Sequence, residues 1–203
     1  MQIDLTQTGK LTCQMNPESL HRFTTLLQSG FYTKSTSNRT LIEFLLDLPG
    51  FDKDYVNNRL QTIFYNGDAI DDTSITLSGG EVTLALSAAM PGLAGAIFRK
   101  NSPHAGLRKS APEMADDQQD KPIMIRVKLF NAVAPERGLD LLRQGVILKS
   151  RDLHNFLELR PSLREAMNSI QLDTIPSTPE DVLTACDRFP YISTTIFSTN
   201  DTN

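Results

Sequence analysis

The sequence predicts an α+β protein made of two small domains. Short segments in which polar and apolar residues alternate, as in strands, are interspersed with segments whose apolar residues recur at helical spacing. Asn-Gly and Gly-Gly pairs separate several of these segments and indicate tight turns. A chain of 203 residues is long enough for one large domain or two small ones, and 39% hydrophobic with 22% charged residues is typical of a globular protein.

The first fifty residues are predicted to form a hairpin and two helices. Alternation within residues 3–15, interrupted at Gly9, predicts two short strands joined by a turn. Asn16 is followed by a proline, which suits the start of a helix. Thr40 and Glu43 have the spacing of a capping box and precede an apolar run, which predicts a second helix.

The clearest local signal in the sequence lies between residues 60 and 86. Asn66 and Gly67 separate two short apolar segments, and this pair tolerates the positive φ angles of a tight hairpin. A second turn is predicted at residues 78–80. Residues 81–86 then alternate and predict a strand with Val82, Leu84 and Leu86 on one face.

The last eighty residues are predicted to mix strands with short helices. Strict alternation over residues 123–130 predicts a strand, and residues 135–144 are predicted to form a helix. Further helices are predicted from residue 162 to residue 170 and from Thr178, where acidic residues follow the start. A terminal strand rich in β-branched residues is predicted at 191–197.

The middle of the chain is predicted to be a linker. Its basic residues come first and its acidic residues follow, it contains several Pro and Gly residues, and it has few large apolar residues. Such a segment buries too little apolar surface to offset the entropy lost on ordering. The predicted organisation is therefore a first domain at 1–97, a mobile linker at 98–121 and a second domain at 122–203.

Residues 60–72 and 77–84 together resemble the later half of β-grasp sulfur carriers, the ubiquitin-like proteins that include the small subunit of molybdopterin synthase. The shared pattern is a strand, an Asn-containing turn, a short strand, a Leu followed by a turn with Gly-Glu-Val, and a final strand. The resemblance implies a β-grasp-like mixed sheet with a helix in the first domain, followed by a smaller α/β domain.

The sequence departs from these carriers where their chemistry takes place. Sulfur carriers act through a C-terminal pair of glycines, whereas Gly92 and Gly95 are separated here by two residues and are followed by a long segment. A free glycine carboxylate would require cleavage of the chain. The resemblance therefore implies the fold and leaves a carrier released by cleavage as one alternative.

Two groups of candidate binding residues follow the predicted strand at 81–86. The segment that corresponds to the carrier tail is predicted to bind a protein partner through Met90, Pro91, Gly92, Leu93 and Gly95. The basic cluster is predicted to bind an anionic ligand or an acidic surface through Arg99, Lys100, His104, Arg108 and Lys109. A solvated linker is the alternative explanation for the basic cluster.

The sequence predicts no catalytic, metal-binding or cofactor-binding residues. Its three histidines have no ligand spacing, and neither Cys13 nor Cys186 has a histidine nearby in the sequence. Cys186 lies at helical spacing from two apolar residues and is predicted to be a small buried hydrophobe.

The composition and the first residues bear on the partners and the location that we expect for the protein. A net charge of −4 argues against general nucleic-acid binding, and no apolar stretch approaches the 18 residues of a membrane span. The first residues lack the basic and apolar regions of a secretory signal, so a cytoplasmic location is expected.

Two functional hypotheses follow from the sequence. The first is a non-catalytic protein-interaction or carrier-like module, with a sulfur- or cofactor-handling enzyme as one candidate partner. The alternative is a ligand-binding protein or enzyme that takes an anionic small molecule at the interdomain cleft, through Arg126, Lys128 or the basic cluster. Under the first hypothesis we expect a protein partner and do not expect enzymatic activity.

Overall fold

The computed structural model describes residues 7–108 and 121–202. Contacts group this part of the chain into two compact units, residues 32–108 with 121–137 and residues 7–31 with 138–202. Helices and strands occur in both units, which confirms the predicted α+β class. This grouping does not test the predicted domain boundaries at residues 97 and 122, which stay a prediction.

The regular elements alternate along the chain. The strands are β1 (Thr8–Met15), β2 (Phe31–Thr36), β3 (Thr62–Tyr65), β4 (Asp68–Ile70), β5 (Glu81–Ser87), β6 (Pro122–Phe130), β7 (Val146–Lys149), β8 (Asn168–Leu172), β9 (Ile175–Pro176) and β10 (Tyr191–Ser198). The α-helices are α1 (Pro17–Phe23), α2 (Leu41–Asp47), α3 (Gly92–Phe98), α4 (Val133–Gln144), α5 (Ser150–Glu158), α6 (Pro161–Glu165) and α7 (Pro179–Arg188). A single π-helical turn spans Tyr55–Arg59, and a short 3-10 helix spans Ala105–Leu107.

Side-chain caps begin the helices where the sequence predicts them. The side chain of Asn16 accepts a hydrogen bond from the backbone of Ser19 at the start of α1. Thr40 forms a reciprocal capping box at the start of α2, and Thr178 does the same at the start of α7. Each cap satisfies backbone N–H groups that have no partner within the helix.

The strands of the first unit are hydrogen-bonded in the order β4-β3-β5-β6-β2. β3 is antiparallel to both β4 and β5, whereas β5 and β6 are parallel. Asn66 and Gly67 join β3 to β4 with φ angles of 51° and 97°, which confirms the predicted tight hairpin.

The two faces of this sheet have different coverings. One face is apolar and buried, and it includes Val82, Leu84 and Leu86, as predicted. On the other face, Thr62 lies opposite Ser87. The helix α3 packs on this second face, where the rings of Phe64 and Phe98 lie 5.3 Å apart.

The strands of the second unit are hydrogen-bonded in the order β7-β10-β1-β8-β9. β1 is parallel to β10 and antiparallel to β8. Two helices of this unit pack against each other, with the rings of Phe23 in α1 and Phe156 in α5 in edge-to-face contact at 5.2 Å. Cys186 of α7 is buried, which confirms its predicted role as a small hydrophobe.

Two local predictions in the second unit are wrong. The turn predicted at Gly9 lies inside β1, because β1 pairs with β10 residue by residue from Thr8 onward. A Cβ at Gly9 would lie 2.7 Å from the ring of Phe189, so close packing explains this glycine. Residues 3–5 of the predicted hairpin lie outside the described residues.

The helix predicted over residues 162–170 ends early. α6 stops at Glu165, and its N-cap residue is Arg160, with no side-chain cap. The following residues, Asn168–Leu172, form the strand β8 because they find an antiparallel partner in β1. A neighbouring strand therefore overrides the local helical spacing of the apolar residues.

Candidate functional site

A cavity of about 390 Å³ lies within the first unit, beside α3. Its lining includes Met90 and Gly95 from the predicted partner-binding segment and Arg99 and His104 from the predicted basic cluster. The two groups of residues that the sequence analysis treats separately thus meet at one place. We name this place the α3 cavity.

Other lining residues come from outside the predicted groups. Gln61 and Thr62 lie at the start of β3, and Ser102 lies between the two basic lining residues. Small or apolar residues complete the lining: Ala89, Ala96 and Pro103. The cavity volume is near the lower end of the range for small-molecule sites.

The glycines of the predicted partner-binding segment shape the helix α3. Gly92 has a φ of +70°, a backbone conformation that side chains disfavour. A Cβ at Gly95 would lie 1.7 Å from the backbone oxygen of Met90, so only glycine fits there. Pro91 and Leu93 are exposed, and Leu93 is 75% accessible to solvent. Within this segment, Met90 and Gly95 line the cavity, whereas Pro91, Gly92 and Leu93 do not.

The segment 99–108, which we name the strap, follows α3 and is fastened by Arg108. The Arg108 guanidinium donates hydrogen bonds to the backbone oxygens of Ile97, at 2.8 Å, and of Arg99. It also forms an ion pair with Asp71 at 2.7 Å, and its side chain is only 7% exposed. Arg108 therefore holds the strap against the unit and is not free to bind a ligand.

Lys100 also fastens the strap. Its ammonium group donates a 2.7 Å hydrogen bond to the backbone oxygen of Val56, in the π-helical turn. Its backbone N–H donates to the backbone oxygen of Gln61 at 2.7 Å. Burial of this side chain lowers the pKa of Lys100. Lys109, the last member of the predicted basic cluster, lies outside the described residues.

Arg99 and His104 are the two members of the basic cluster that line the cavity. Both residues are exposed, and neither side chain forms a hydrogen bond or ion pair with a described residue. The hydroxyl of Ser102 donates to the backbone oxygen of Ala96 and accepts a 3.0 Å hydrogen bond from the backbone of His104. The strap thus holds two unpaired donor side chains at the cavity.

Thr62 also lines the cavity, although its hydroxyl oxygen is buried from solvent. The residue is 1% exposed, and its hydroxyl has no hydrogen-bond partner among the described residues. Ser87, opposite it on β5, instead accepts a 2.8 Å hydrogen bond from the side chain of Asn131. Asn131 also donates to the backbone oxygen of Ala89 at 2.7 Å and so holds one wall of the cavity. The hydroxyls of Ser35 and Ser150 are likewise buried without a partner among the described residues, so this property does not mark Thr62 as a ligand donor.

The cavity offers hydrogen-bond donors and positive charge. The sequence from Val82 to Arg108 contains three Lys or Arg residues and no carboxylate, and no Asp, Glu or Cys is among the described lining residues. The lining residues therefore include no nucleophile paired with a base of the kind that covalent catalysis requires. This arrangement suits binding of an anion.

Other reactive groups of the chain lie away from this cavity. Burial raises the pKa of Cys13 to about 12 and that of Cys186 to about 12, so both thiols stay protonated near neutral pH. Within residues 7–108 and 121–202, no group of three or more His, Cys, Asp or Glu side chains is placed to hold a metal ion. In the same part of the chain, every helix is too short or too polar to span a bilayer.

A second network joins the π-helical turn to the start of α4. Glu136 accepts a 2.8 Å hydrogen bond from the Tyr55 hydroxyl and a forked pair of hydrogen bonds from Arg59. The Arg59 hydrogen bonds, followed by that of Tyr55, hold the pKa of Glu136 below its usual value. Arg137 stacks on the ring of Tyr55 at 3.9 Å. These contacts connect the start of α4 to the π-helical turn within the first unit.

Sequence reasoning missed Gln61, Thr62 and Ser102 as lining residues. Gln61 and Thr62 belong to the segment that resembles the sulfur carriers, but the resemblance gives them no role. All three residues become part of the site only through the packing of α3 on the sheet. The one available signal was the position of Thr62 at the edge of a predicted strand, and that signal is common to many threonines.

Comparison of the sequence with protein-family models finds no match, and comparisons with curated proteins and with solved structures find no significant match.

Proposed function

We propose that the protein is a non-catalytic binding protein that takes a small anionic molecule in the α3 cavity. The observation that supports this proposal best is the meeting of two exposed, unpaired side chains, Arg99 and His104, at one cavity with no carboxylate among its described lining residues. Arginine favours carboxylates and phosphates because its planar group presents paired N–H donors.

The basic cluster contains both anchored and unpaired side chains, and this difference supports the same proposal. Lys100 and Arg108 donate hydrogen bonds to backbone oxygens, and Arg108 also pairs with Asp71. These contacts keep the strap in place. Arg99 and His104 are left with unused donors at the cavity. In a solvated linker, by contrast, we would expect none of these side chains to be anchored to the rest of the unit.

The size of the cavity bears on the class of ligand. About 390 Å³ suits a small metabolite better than a nucleotide or a folded peptide. The sequence-based alternative placed an anionic ligand between two domains, near Arg126 and Lys128. That interdomain site stays a prediction, and the site proposed here lies entirely within the first unit.

The proposal is tested by titrating the full-length, isotope-labelled protein with butyrate and with propyl phosphate. We expect at least one probe to shift the backbone amide resonances of residues 61–62 and 99–104. Arg99→Ala should abolish these shifts, whereas Arg22→Ala, an exposed arginine of the second unit, should preserve them. Failure of both probes to shift these resonances, or equal shifts in the Arg99→Ala variant, contradicts the proposal.

We also propose, as a second candidate, that the first unit is a β-grasp-like domain that works as a protein-interaction module. The parallel pair β5 and β6 inside a mixed sheet, with the helix α2 following the strand β2, supports the resemblance. β6 lies beyond residue 97, so this proposed domain extends past the segment that resembles the sulfur carriers. Leu93 and Leu107 are 75% and 72% exposed and offer apolar contacts to a partner.

The interaction proposal is tested by affinity capture with the full-length chain from a native lysate. We expect a stoichiometric partner that is lost with Leu93→Glu and kept with Leu159→Glu, a leucine of the second unit that is 76% exposed. Absence of a stoichiometric partner, or its retention by Leu93→Glu, contradicts this candidate.

A sulfur carrier released by cleavage receives no support from the fold. Residues Gly92–Phe98 form α3, so a cut that freed Gly95 would fall within a helix. Intact-mass measurement of the cellular protein decides the matter, because a full-length species alone removes the carrier hypothesis. A cytoplasmic location stays a prediction.

A further inference from the structure

We infer that the exposed face of α3 binds an acidic, partly apolar segment of a protein partner. This face consists of Leu93, Ala96 and Ile97, and we name it the α3 face. The inference rests on the second candidate of the proposed function, the interaction module, and names the chemistry of its partner.

The helix α3 is apolar throughout and is mostly not buried. None of its residues, Gly92–Phe98, has a polar side chain, and Gly95 is the only one of them that is buried. Leu93 is 75% exposed, Ala96 is exposed and Ile97 is half-buried. These three residues have the spacing that places side chains on one side of a helix. The described residues therefore leave the α3 face largely open to solvent.

The opposite side of α3 already packs on the first unit. Gly95 lies against the backbone of Met90, and the ring of Phe98 contacts that of Phe64. A hydrogen bond from Lys100 fastens the strap that follows the helix. Because α3 is held in place at both positions, its open face is ready to bind a partner without first being ordered, which lowers the entropy cost of binding.

A basic group and a further donor lie beside the α3 face. Ala96 belongs both to this face and to the lining of the α3 cavity, where Arg99 and His104 are exposed and have no hydrogen bond or ion pair with a described residue. No Asp or Glu occurs between residues 82 and 108, although the whole chain has a net charge of −4. This surface therefore attracts carboxylates and disfavours basic partners.

A protein segment suits this surface better than a membrane does. Helices that lie in the membrane interface present a strongly apolar face with several large side chains. The α3 face offers one large and highly exposed side chain, Leu93, beside the smaller contacts of Ala96 and Ile97. Protein interfaces commonly combine such an apolar centre with a polar rim. Carboxylates at the rim would meet Arg99 and His104.

The test selects peptides without a prior choice of sequence. A phage library of random twelve-residue peptides is selected on the full-length protein, and the affinity of each enriched peptide is measured by fluorescence anisotropy. We expect the enriched peptides to combine Asp or Glu with Leu, Ile or Phe. Leu93→Glu and Arg99→Glu should each weaken binding of the tightest peptide about tenfold or more. The matched controls, Leu159→Glu and Arg22→Glu in the second unit, should leave it unchanged.

A charge reversal separates recognition from a loss of folding. The double variant Arg99→Glu with His104→Glu is selected against the same library. We expect its enriched peptides to keep the apolar residues and to carry Lys or Arg in place of Asp or Glu. A variant that is merely unfolded would not exchange one charge preference for the other. Enrichment of acidic peptides by the double variant contradicts the inference.

Other occupants of the α3 face give different results. Co-sedimentation with vesicles of phosphatidylserine and phosphatidylcholine that Leu93→Glu abolishes would identify a membrane. A dimer that Leu93→Glu dissociates would identify a second copy of the chain. Either result overturns the inference, as does enrichment of neutral or basic peptides or of none. Capture of a stoichiometric partner through Leu93 would then leave the interaction module standing, whereas its absence removes both.

Discussion

The substitution Thr62→Val tests whether the buried hydroxyl of Thr62 has a hydrogen-bond partner in the folded chain. Thr62 is 1% exposed, and its hydroxyl has no hydrogen-bond partner among the described residues. Leaving a buried polar group unsatisfied costs about 1–3 kcal/mol. Valine has nearly the same shape and the same preference for strands, so it removes that cost and leaves no cavity. We therefore expect Thr62→Val to raise the free energy of unfolding of the ligand-free protein by roughly 1 kcal/mol.

The matched control is another buried threonine on a strand. Thr194 is 0% exposed, and its hydroxyl donates a 3.4 Å hydrogen bond to the backbone oxygen of Ile192. Thr194→Val loses that bond, and we expect it to lower the free energy of unfolding by about 0.5–1.5 kcal/mol. The two substitutions thus share their chemistry and differ in the expected sign.

Urea unfolding of the full-length chain measures both effects. The midpoint should move in opposite directions for the two variants with an unchanged slope, and a gain of 1 kcal/mol corresponds to a rise in Tm of about 2–4 °C for a chain of this size. If Thr62→Val destabilises the ligand-free protein as Thr194→Val does, the hydroxyl has a partner in the folded chain. The reasoning that treats this hydroxyl as an unsatisfied buried group would then be refuted.

Three further predictions concern packing, pH and the thiols. Gly95→Ala should lower the free energy of unfolding by about 1–3 kcal/mol, because the added Cβ has no room, even though alanine normally favours a helix. Gly106→Ala is the control, because a Cβ there meets open space, and it should be nearly neutral. Thermal unfolding of both variants measures the difference. The pKa of Glu136 is lower in the folded state than in the unfolded state, so its contribution to stability is complete above the unfolded value and is lost as the pH falls through the folded one. Glu136→Gln should therefore reduce the loss of stability between about pH 5 and pH 3 in urea unfolding, and an unchanged slope there would contradict the network described above. Cys13 and Cys186 should not react with a thiol reagent in the native protein at pH 8 and should both react in urea, since burial raises the pKa of each to about 12; rapid labelling of the folded chain would show that the thiols are accessible.

Local chemistry accounts for the elements that the sequence predicts correctly. Asn16, Thr40 and Thr178 cap helices through bonds to residues three positions away, and the Asn66-Gly67 turn depends only on the backbone freedom of two neighbours. Interactions within a few residues act regardless of the surrounding fold. For this reason, the sequence alone was enough to place these helix starts and this hairpin.

Long-range pairing accounts for the elements that the sequence predicts wrongly. The turn expected at Gly9 and the helix expected through Ile170 both gave way to strands, because β1 has β10 on one side and β8 on the other. Backbone hydrogen bonds between strands depend on residues far apart in the chain. Local periodicity carries no information about them.

The candidate site depends on both kinds of information. The sequence alone was enough to suggest anion binding, because basic side chains are concentrated in residues 99–109. Which of these cations are free depends on the fold and not on the local sequence. Lys100 donates to the backbone oxygen of Val56 in the π-helical turn, and Arg108 donates to the backbone oxygen of Ile97 in α3. Packing of α3 on the sheet then placed Arg99 and His104 at one cavity together with Gln61 and Thr62, which no spacing in the sequence could indicate.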